Sequence, residues 1–412
     1  MSLASALLPA TAHERAYALI TAVDSLGTGC FLTVSVVLFV QLVGVTPTQV
    51  GTALAIGGVV SLFARVPLGR LSDRLGHRRA LIAVHVIRGL AFPLYLVVHG
   101  FAAFLALSVF VLVIDGWESP VRKVVLYAFA PPADRVRIAA YNRSVYNLAF
   151  AGGSLLAALA LAGDRLGLYL VVAGNAGSFL AAAGFAGRLP AELRLPPPPT
   201  GPGPVSPRRY AMVGLVLGSL FLCTSLLSIG IPLLVLADFA SHRWLIGLAM
   251  ALNTATAVSL QVRLARGCDT VAGSVRAGVA GGFVLAASCL LLFLSDSTPA
   301  AGGIALLLAG VVALSIGELS ASAATWGLGL MLRRHDLSAH NQSVWSMYIS
   351  LPQLLGPMVV AWSLHALHGA GWLAIGALLA AAALALGPVA LAVHERIERD
   401  VSGAVLNDSM AG

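Results

Sequence analysis

The feature that most constrains this chain is a succession of apolar runs, each about 20 to 30 residues long, separated by short polar turns. A helix needs about 20 apolar residues to cross the hydrocarbon of a bilayer, and it satisfies its own backbone hydrogen bonds there. Bounded by turn residues and charges, the runs fall at 17–43, 50–69, 79–98, 101–127, 138–162, 166–187, 210–237, 244–264, 275–295, 299–330, 341–366 and 371–394. Only 10% of the 412 residues are charged and 58% are apolar, whereas a soluble domain carries about 25% charged residues. So little charge cannot coat a water-facing surface, which excludes a soluble enzyme. The expectation is an all-α polytopic membrane protein with twelve transmembrane helices. The fourth and tenth runs exceed the hydrocarbon thickness, so their last turns project into the cytoplasm.

The 25 basic residues outnumber the 17 acidic ones, for a net charge of +8, and every basic residue except Lys123 is an arginine. In a soluble chain this balance would raise the question of nucleic acid. Here the arginines sit in short clusters between apolar runs, the pattern of basic residues retained on the cytoplasmic side. That pattern places both termini inside; only Arg165 and Arg243 fall on the opposite side, while Arg65 and Arg88 lie within runs. No nucleic-acid partner is expected. The four cysteines, Cys30, Cys223, Cys268 and Cys289, are scattered without a CxxC or Cys/His spacing, so neither disulfide, metal nor cofactor is expected. The segment Met1 to Ala16 lacks the basic start of a cleavable signal, so the first span is retained. The Ala-, Leu-, Gly- and Arg-rich composition suggests the plasma membrane of a high-GC bacterium.

Residues 189–209, LPAELRLPPPPTGPGPVSPRR, are too rich in proline for a helix and favour an extended, solvated chain. They divide the protein into residues 1–188 and 210–400, with a cytoplasmic tail at 401–412. A weak internal repeat supports the division. Tyr141-Asn142-Arg143-Ser144-Val145-Tyr146 opens the fifth run, and His340-Asn341-Gln342-Ser343-Val344-Trp345 opens the eleventh. Two pseudo-symmetric six-helix bundles are the architecture of a carrier that rocks one half against the other.

After the second run comes Gly69-Arg70-Leu71-Ser72-Asp73-Arg74-Leu75-Gly76-His77-Arg78-Arg79. This resembles the signature loop of the major facilitator superfamily: glycine, three residues, Asp, Arg, any residue, glycine and two basic positions, with His77 departing from the usual Arg or Lys. The resemblance implies the major facilitator fold and a cytoplasmic latch built from Gly69, Asp73, Arg74, Gly76 and Arg78. Independently of the family, Asp73 carries the charge to cap a neighbouring helix N-terminus, and the glycines permit tight turns and close approach. The corresponding second-half segment, Gln261 to Asp269, lacks the pattern.

Ionisable groups in hydrocarbon cost at least about 2.5–3.5 kcal/mol each on insertion scales, which makes them functional candidates. Asp24, Arg88, Asp115, Glu118 and Glu318 lie within runs, and Arg122 follows on the fourth. At 1.5 Å per residue, Asp24 and Arg88 lie roughly 10 and 14 Å from the starts of their runs, with Asp115 at a similar depth, so these three can meet in one layer. Asp115, Glu118 and Arg122 share a helix face, with Glu118 and Arg122 an i,i+4 pair, and Pro120 interrupts that face. Asp24 and Asp115 are the candidate proton carriers, because burial favours the neutral carboxyl. Arg88 reads as their counter-ion, and Glu318 as one carboxyl offered by the second half. The resemblance implies that the first, fourth, seventh and tenth spans line a central cavity. Trp117, Asn253, Trp326, Trp345 and Tyr348 on candidate cavity helices suit an amphipathic ligand, although each also suits packing.

Proton-driven exporters of this superfamily often carry a Gly-Pro pair in the fifth span and an Arg-x-x-Gln-Gly element in the fourth. Here Ser154 stands in place of the proline and Leu112 in place of the arginine, while Gly356-Pro357 falls in the eleventh run. The leading expectation is a monomeric, proton-coupled exporter of a small lipophilic or cationic molecule. A proton symporter that imports a metabolite uses the same carboxyls. A non-transporting membrane enzyme or receptor is the remote alternative, because no catalytic motif, nucleotide loop or sensor domain is legible.

Overall fold

In the computed structural model, residues 11–161, 164–190, 207–296, 298, 300–332, 338–367 and 369–411 are described. Most of the proline-rich segment and residues 1–10 lie outside them, as do Arg194, Arg333 and Arg334 of the expected cytoplasmic clusters. The chain forms two compact units: residues 1–196 with 337–347, and residues 197–336 with 348–412.

The first unit holds α1 (Ala12–Leu38), α2 (Pro47–Leu75), α3 (His77–Ala91), α4 (Phe101–Ala128), α5 (Arg135–Leu161) and α6 (Asp164–Ala186). A π turn, Phe39–Val43, prolongs α1, and a 3-10 turn, Phe92–Leu96, prolongs α3 where Pro93 interrupts the helical ladder. Thr46 starts α2 with a reciprocal capping box to Gln49, and Pro47 supplies the first helical position, where no backbone N–H is needed. Helix α1 packs on α5 and α6, α2 on α4, and α3 on α4 and α6. The α1–α5 contact is close because a Cβ on Gly153 would lie 2.8 Å from the Cys30 backbone nitrogen, and one on Gly29 would meet the Phe150 backbone. Away from the Asp73 loop, Phe31, Phe39, Phe92, Tyr95, Phe104 and Phe179 form a continuous cluster of edge and tilted ring contacts. This cluster fixes α1, α3, α4 and α6 against one another and so sets the positions of the charges they carry.

The second unit holds α7, in segments Pro207–Leu220 and Ile231–Asp238, followed by α8 (Trp244–Leu264), α9 (Val271–Asp296), α10 (Ala300–Met331), α11 (Ala339–Leu367) and α12 (Ala370–Ala411). The first nine residues of α11 group with the first unit. Helix α9 packs on α10 and α12, and α8 on α10. The seventh apolar run forms one span, Arg208–Asp238, as expected, but its helix is irregular in the middle, where a single helical turn, Cys223–Ser225, and a π turn, Leu226–Gly230, lie between its two longer segments. Pro232 lies in the first turn of the second segment, where its missing N–H is tolerated. Helix α12 continues to Ala411, so the expected tail at 401–412 is helical through Ala411.

Among the described residues, eleven helices are long and apolar enough to cross a membrane. The remaining long helix, α5, has 27 residues, and its first turns carry Arg135, Arg137, Asn142 and Arg143. Its outer face is nonetheless apolar, with Leu155 and Leu159 more than 70% exposed. Such exposed leucines are at no disadvantage in lipid, whose tails are as apolar as the side chains.

Candidate functional site

The intramembrane charges of the first unit converge into one buried network. Asp24 on α1 receives two guanidiniums: Arg88 Nη1 of α3 lies 2.8 Å from its Oδ1, and Arg122 Nη1 of α4 lies 2.9 Å from its Oδ2. Arg88 also places its Nε 2.7 Å from Asp115 Oδ1, and Arg122 its Nη1 2.9 Å from Glu118 Oε1 within the same helix. The order is therefore Asp115, Arg88, Asp24, Arg122, Glu118. Carboxylates outnumber guanidiniums by one. Arg88 is held flat by its guanidinium over the Phe179 ring, 3.8 Å from the centroid, so the aromatic cluster positions the bridging cation.

Several groups absent from the sequence reading complete this arrangement. Thr21 Oγ1 accepts from Arg122 Nη2 at 3.1 Å and donates to Asn142 Oδ1 at 3.3 Å. The Tyr17 hydroxyl donates to the Arg122 carbonyl at 2.9 Å. Thr21 and Tyr17 lie one and two helical turns from Asp24 on the same face of α1, a spacing that a helical projection centred on Asp24 displays. His85 is fully buried, with Nδ1 3.8 Å from Asp24 Oδ1. Its signal was the i,i+3 relation to Arg88 on α3.

The signature loop acts at a second place. Asp73 Oδ1 accepts the backbone N–H of Ala339 at 2.7 Å, and Oδ2 accepts that of His340 at 3.0 Å. These are the first two residues of α11, whose N–H groups have no intrahelical partner, and the carboxylate also complements the positive end of the helix dipole. Gly69 makes the approach possible: a Cβ there would lie 2.8 Å from the Ala339 carbonyl oxygen and 3.0 Å from His340 Cα. Gly76 adopts φ +86°, a conformation that strains other residues, and turns the chain from α2 into α3. Arg78 donates to the Gly187 carbonyl just beyond the end of α6, and Arg74 is exposed. Thus Asp73, not the arginines, makes the contact with the N-terminus of α11.

The remaining candidates stand apart from the network. Glu318 is half-buried near the middle of α10, with Cys223 in the irregular middle of α7 as its electrostatic neighbour. Asn253 donates to Ser315 Oγ at 3.0 Å, joining α8 to α10. Trp117 is buried, and its indole N–H donates to Ser72 Oγ at 2.5 Å; this is packing between α4 and α2. Trp345 is likewise buried, whereas Trp326 and Tyr348 are half-buried. Among the described residues no group of His, Cys, Asp and Glu could hold a metal ion.

The architecture has known counterparts. The human organic anion transporter MFSD10 (TETRAN) superposes with a TM-score of 0.61 at 18% identity, covering 92% of this chain and all of its own. A bacterial homologue of the iron transporter ferroportin in its outward-facing state gives 0.68 at 12% identity, covering 93% and 100%. The proton:xylose symporter XylE bound to 6-bromo-6-deoxy-D-glucose gives 0.63 at 14% identity, covering 90% and 94%. At such identities the likeness establishes the fold alone. No curated protein matches the chain in sequence. The family model described as Major Facilitator Superfamily matches residues 17–357, and with the signature loop seated on a helix end and the fold shared with transporters of that class, the chain belongs to the major facilitator superfamily.

Proposed function

We propose that this chain is a proton-coupled secondary transporter of a small organic molecule, working by alternating access as a monomer in a bacterial plasma membrane. In this reading twelve helices span the bilayer and both termini are cytoplasmic. The observation that carries the coupling is the charge balance of the buried network, in which three carboxylates face two guanidiniums. The leftover negative charge is costly in a membrane, and a proton is the smallest ion that removes the cost. Asp24 is claimed by both guanidiniums, and Glu118 is tied to Arg122 one turn away. Asp115 has one ionic partner, and its side chain is 34% exposed against 4% for Asp24. Asp115 is therefore the carboxyl that loads and releases the proton, while Arg88 keeps its second contact with Asp24.

Export in exchange for protons follows if cargo and proton take turns at Asp115. A cationic cargo has less support than expected from sequence, because the three carboxylates of the buried network all have arginine partners; Glu318 is the acid that still speaks for one. The second reading, symport with a proton, follows if the cargo binds away from Asp115, which is then free to take its proton while cargo is bound. The test uses proteoliposomes under an imposed proton gradient and a panel of radiolabelled organic anions and cations. Asp115→Asn is expected to abolish gradient-driven accumulation while leaving cargo exchange, and the sign of the flux separates export from import. Full accumulation by Asp115→Asn sinks the assignment.

A further inference from the structure

His77 stands across the Gly76 turn from Asp73, the acid that holds the start of α11, and precedes the third apolar run at 79–98. Its Nε2 lies 3.8 Å from Asp73 Oδ1, the same oxygen that accepts the Ala339 N–H at 2.7 Å. That separation is within ion-pair reach and beyond a hydrogen bond, so a neutral imidazole gains little from the carboxylate. The His77 side chain is only 10% exposed, and among the described residues its buried Nδ1 has no hydrogen-bond partner. A proton added there becomes a donor with nothing to receive it. It also adds charge at the positive end of α3, which His77 opens.

Protonation of His77 and seating of α11 oppose each other. The legs of 3.8 and 2.7 Å put the imidazole nitrogen within about 6.5 Å of the Ala339 nitrogen, inside the Debye length of roughly 8 Å. Attraction between an imidazolium and Asp73 is internal to the α2–α3 turn, so it is present whether or not α11 is seated. Repulsion between the imidazolium and the positive end of α11, about half an elementary charge, exists only in the seated state. Only the repulsion differs between the two states, so a proton on His77 weakens the contact with α11, and by reciprocity the seated helix disfavours that proton. The other charges around the turn do not titrate in the histidine range: Arg74 and Arg79 are exposed, Arg78 is committed to the Gly187 carbonyl, and Arg188 follows at the end of α6. On α11 the titratable group is His340, whose own N–H is held by Asp73 Oδ2 and whose Nδ1 has no hydrogen-bond partner. Arg333, Arg334, His335 and Asp336, which lead into α11, lie outside the described residues.

We propose that His77 is a proton-binding switch on the latch: a proton taken up by its imidazole releases the N-terminus of α11 from Asp73, so that acidity on the side of the membrane carrying this loop frees the helix. Histidine changes charge near neutral pH, where arginine or lysine in its place stays charged throughout. The contact is therefore strongest above the histidine range and loosens as the pH falls through it. This proton is regulatory and is not the one assigned to Asp115. The proposal rests on the carrier reading only for its consequence in transport, because the contact itself can be measured without cargo.

Hydrogen–deuterium exchange of the full chain in phosphatidylcholine nanodiscs, read by mass spectrometry on peptides that begin α11, follows the Ala339 and His340 amides directly. After correction for intrinsic exchange rates, their protection is expected to fall about threefold between about pH 7.5 and about pH 5.5. His77→Gln, always neutral, should hold the higher protection at both pH values, and His77→Lys, always charged, the lower one at both. Asp73→Asn should lower protection throughout and erase the pH difference. His340→Gln and His335→Gln should keep it. A pH-independent wild type overturns the proposal, as does a fall that survives in His77→Gln or equal protection in His77→Lys and His77→Gln. A fall abolished by His340→Gln or His335→Gln also overturns it, by assigning the proton to α11 or the segment before it. An intact exchange response, with uptake in proteoliposomes indifferent to the proton gradient, keeps the switch and removes the proton coupling instead.

Discussion

Replacing Arg88 by alanine tests whether the network is a single electrostatic unit. Arg88 is 5% exposed, bridges Asp24 and Asp115 at 2.8 and 2.7 Å, and stacks on Phe179. Its removal leaves three carboxylates with one guanidinium, so Asp115 loses its ionic partner altogether. Breaking a buried pair in this way costs about 3–5 kcal/mol. Asp24→Asn has the opposite consequence: Arg88 keeps Asp115, Arg122 keeps Glu118, and the network becomes neutral. Because all five groups belong to the first unit, whose size corresponds to about 2–4 °C per kcal/mol, Arg88→Ala should lower the melting temperature in detergent by roughly 6–20 °C. Asp24→Asn should cost far less. The double variant Arg88→Ala with Asp115→Asn restores the original excess of one carboxylate, and should regain a substantial part of the loss. Tryptophan fluorescence melting at fixed detergent and protein concentration measures all three. Equal, small shifts for the two single variants, or no recovery in the double variant, would refute the argument.

Three further outcomes are expected. Asp73→Asn removes the charge from the N-terminus of α11, a loss of about 0.3–1 kcal/mol; cargo flux at equal expression should fall roughly two- to fivefold, and unchanged flux would mean the cap does not govern turnover. Glu318→Gln should change cargo affinity while leaving proton-driven accumulation intact, and if accumulation is lost there but kept in Asp115→Asn, the coupling belongs to the second unit. Burial pushes the Cys268 thiol, in the turn after α8, up to about 11, so a water-soluble maleimide at neutral pH should leave it unmodified until the protein is unfolded; labelling of the folded protein would show that this turn opens.

The amino-acid sequence alone determined the helices. The bilayer demands a continuous apolar length, which is a linear property of the chain, and the expected run 244–264 coincides with α8 while most others agree within a few residues at each end. It also made the Glu118–Arg122 pair legible, because i,i+4 neighbours meet within one helix, and it placed Asp24, Arg88 and Asp115 at one depth. What it left open was partnership between helices. Asp73 finds Ala339 and His340 more than 260 residues away, Asp24 takes both guanidiniums instead of sharing them evenly with Asp115, and Trp117 is claimed by Ser72. The irregular turns in the middle of α7 were also hidden, since the run reads as one apolar span. In a soluble helix the polar face tells which side is buried. In lipid both sides are apolar, so the linear pattern says little about which neighbour a helix faces. The adjacent cations Arg122 and Lys123 look alike in the sequence, and only the packing of neighbouring helices against α4 gives Arg122 the carboxylate of Asp24 beside that of Glu118.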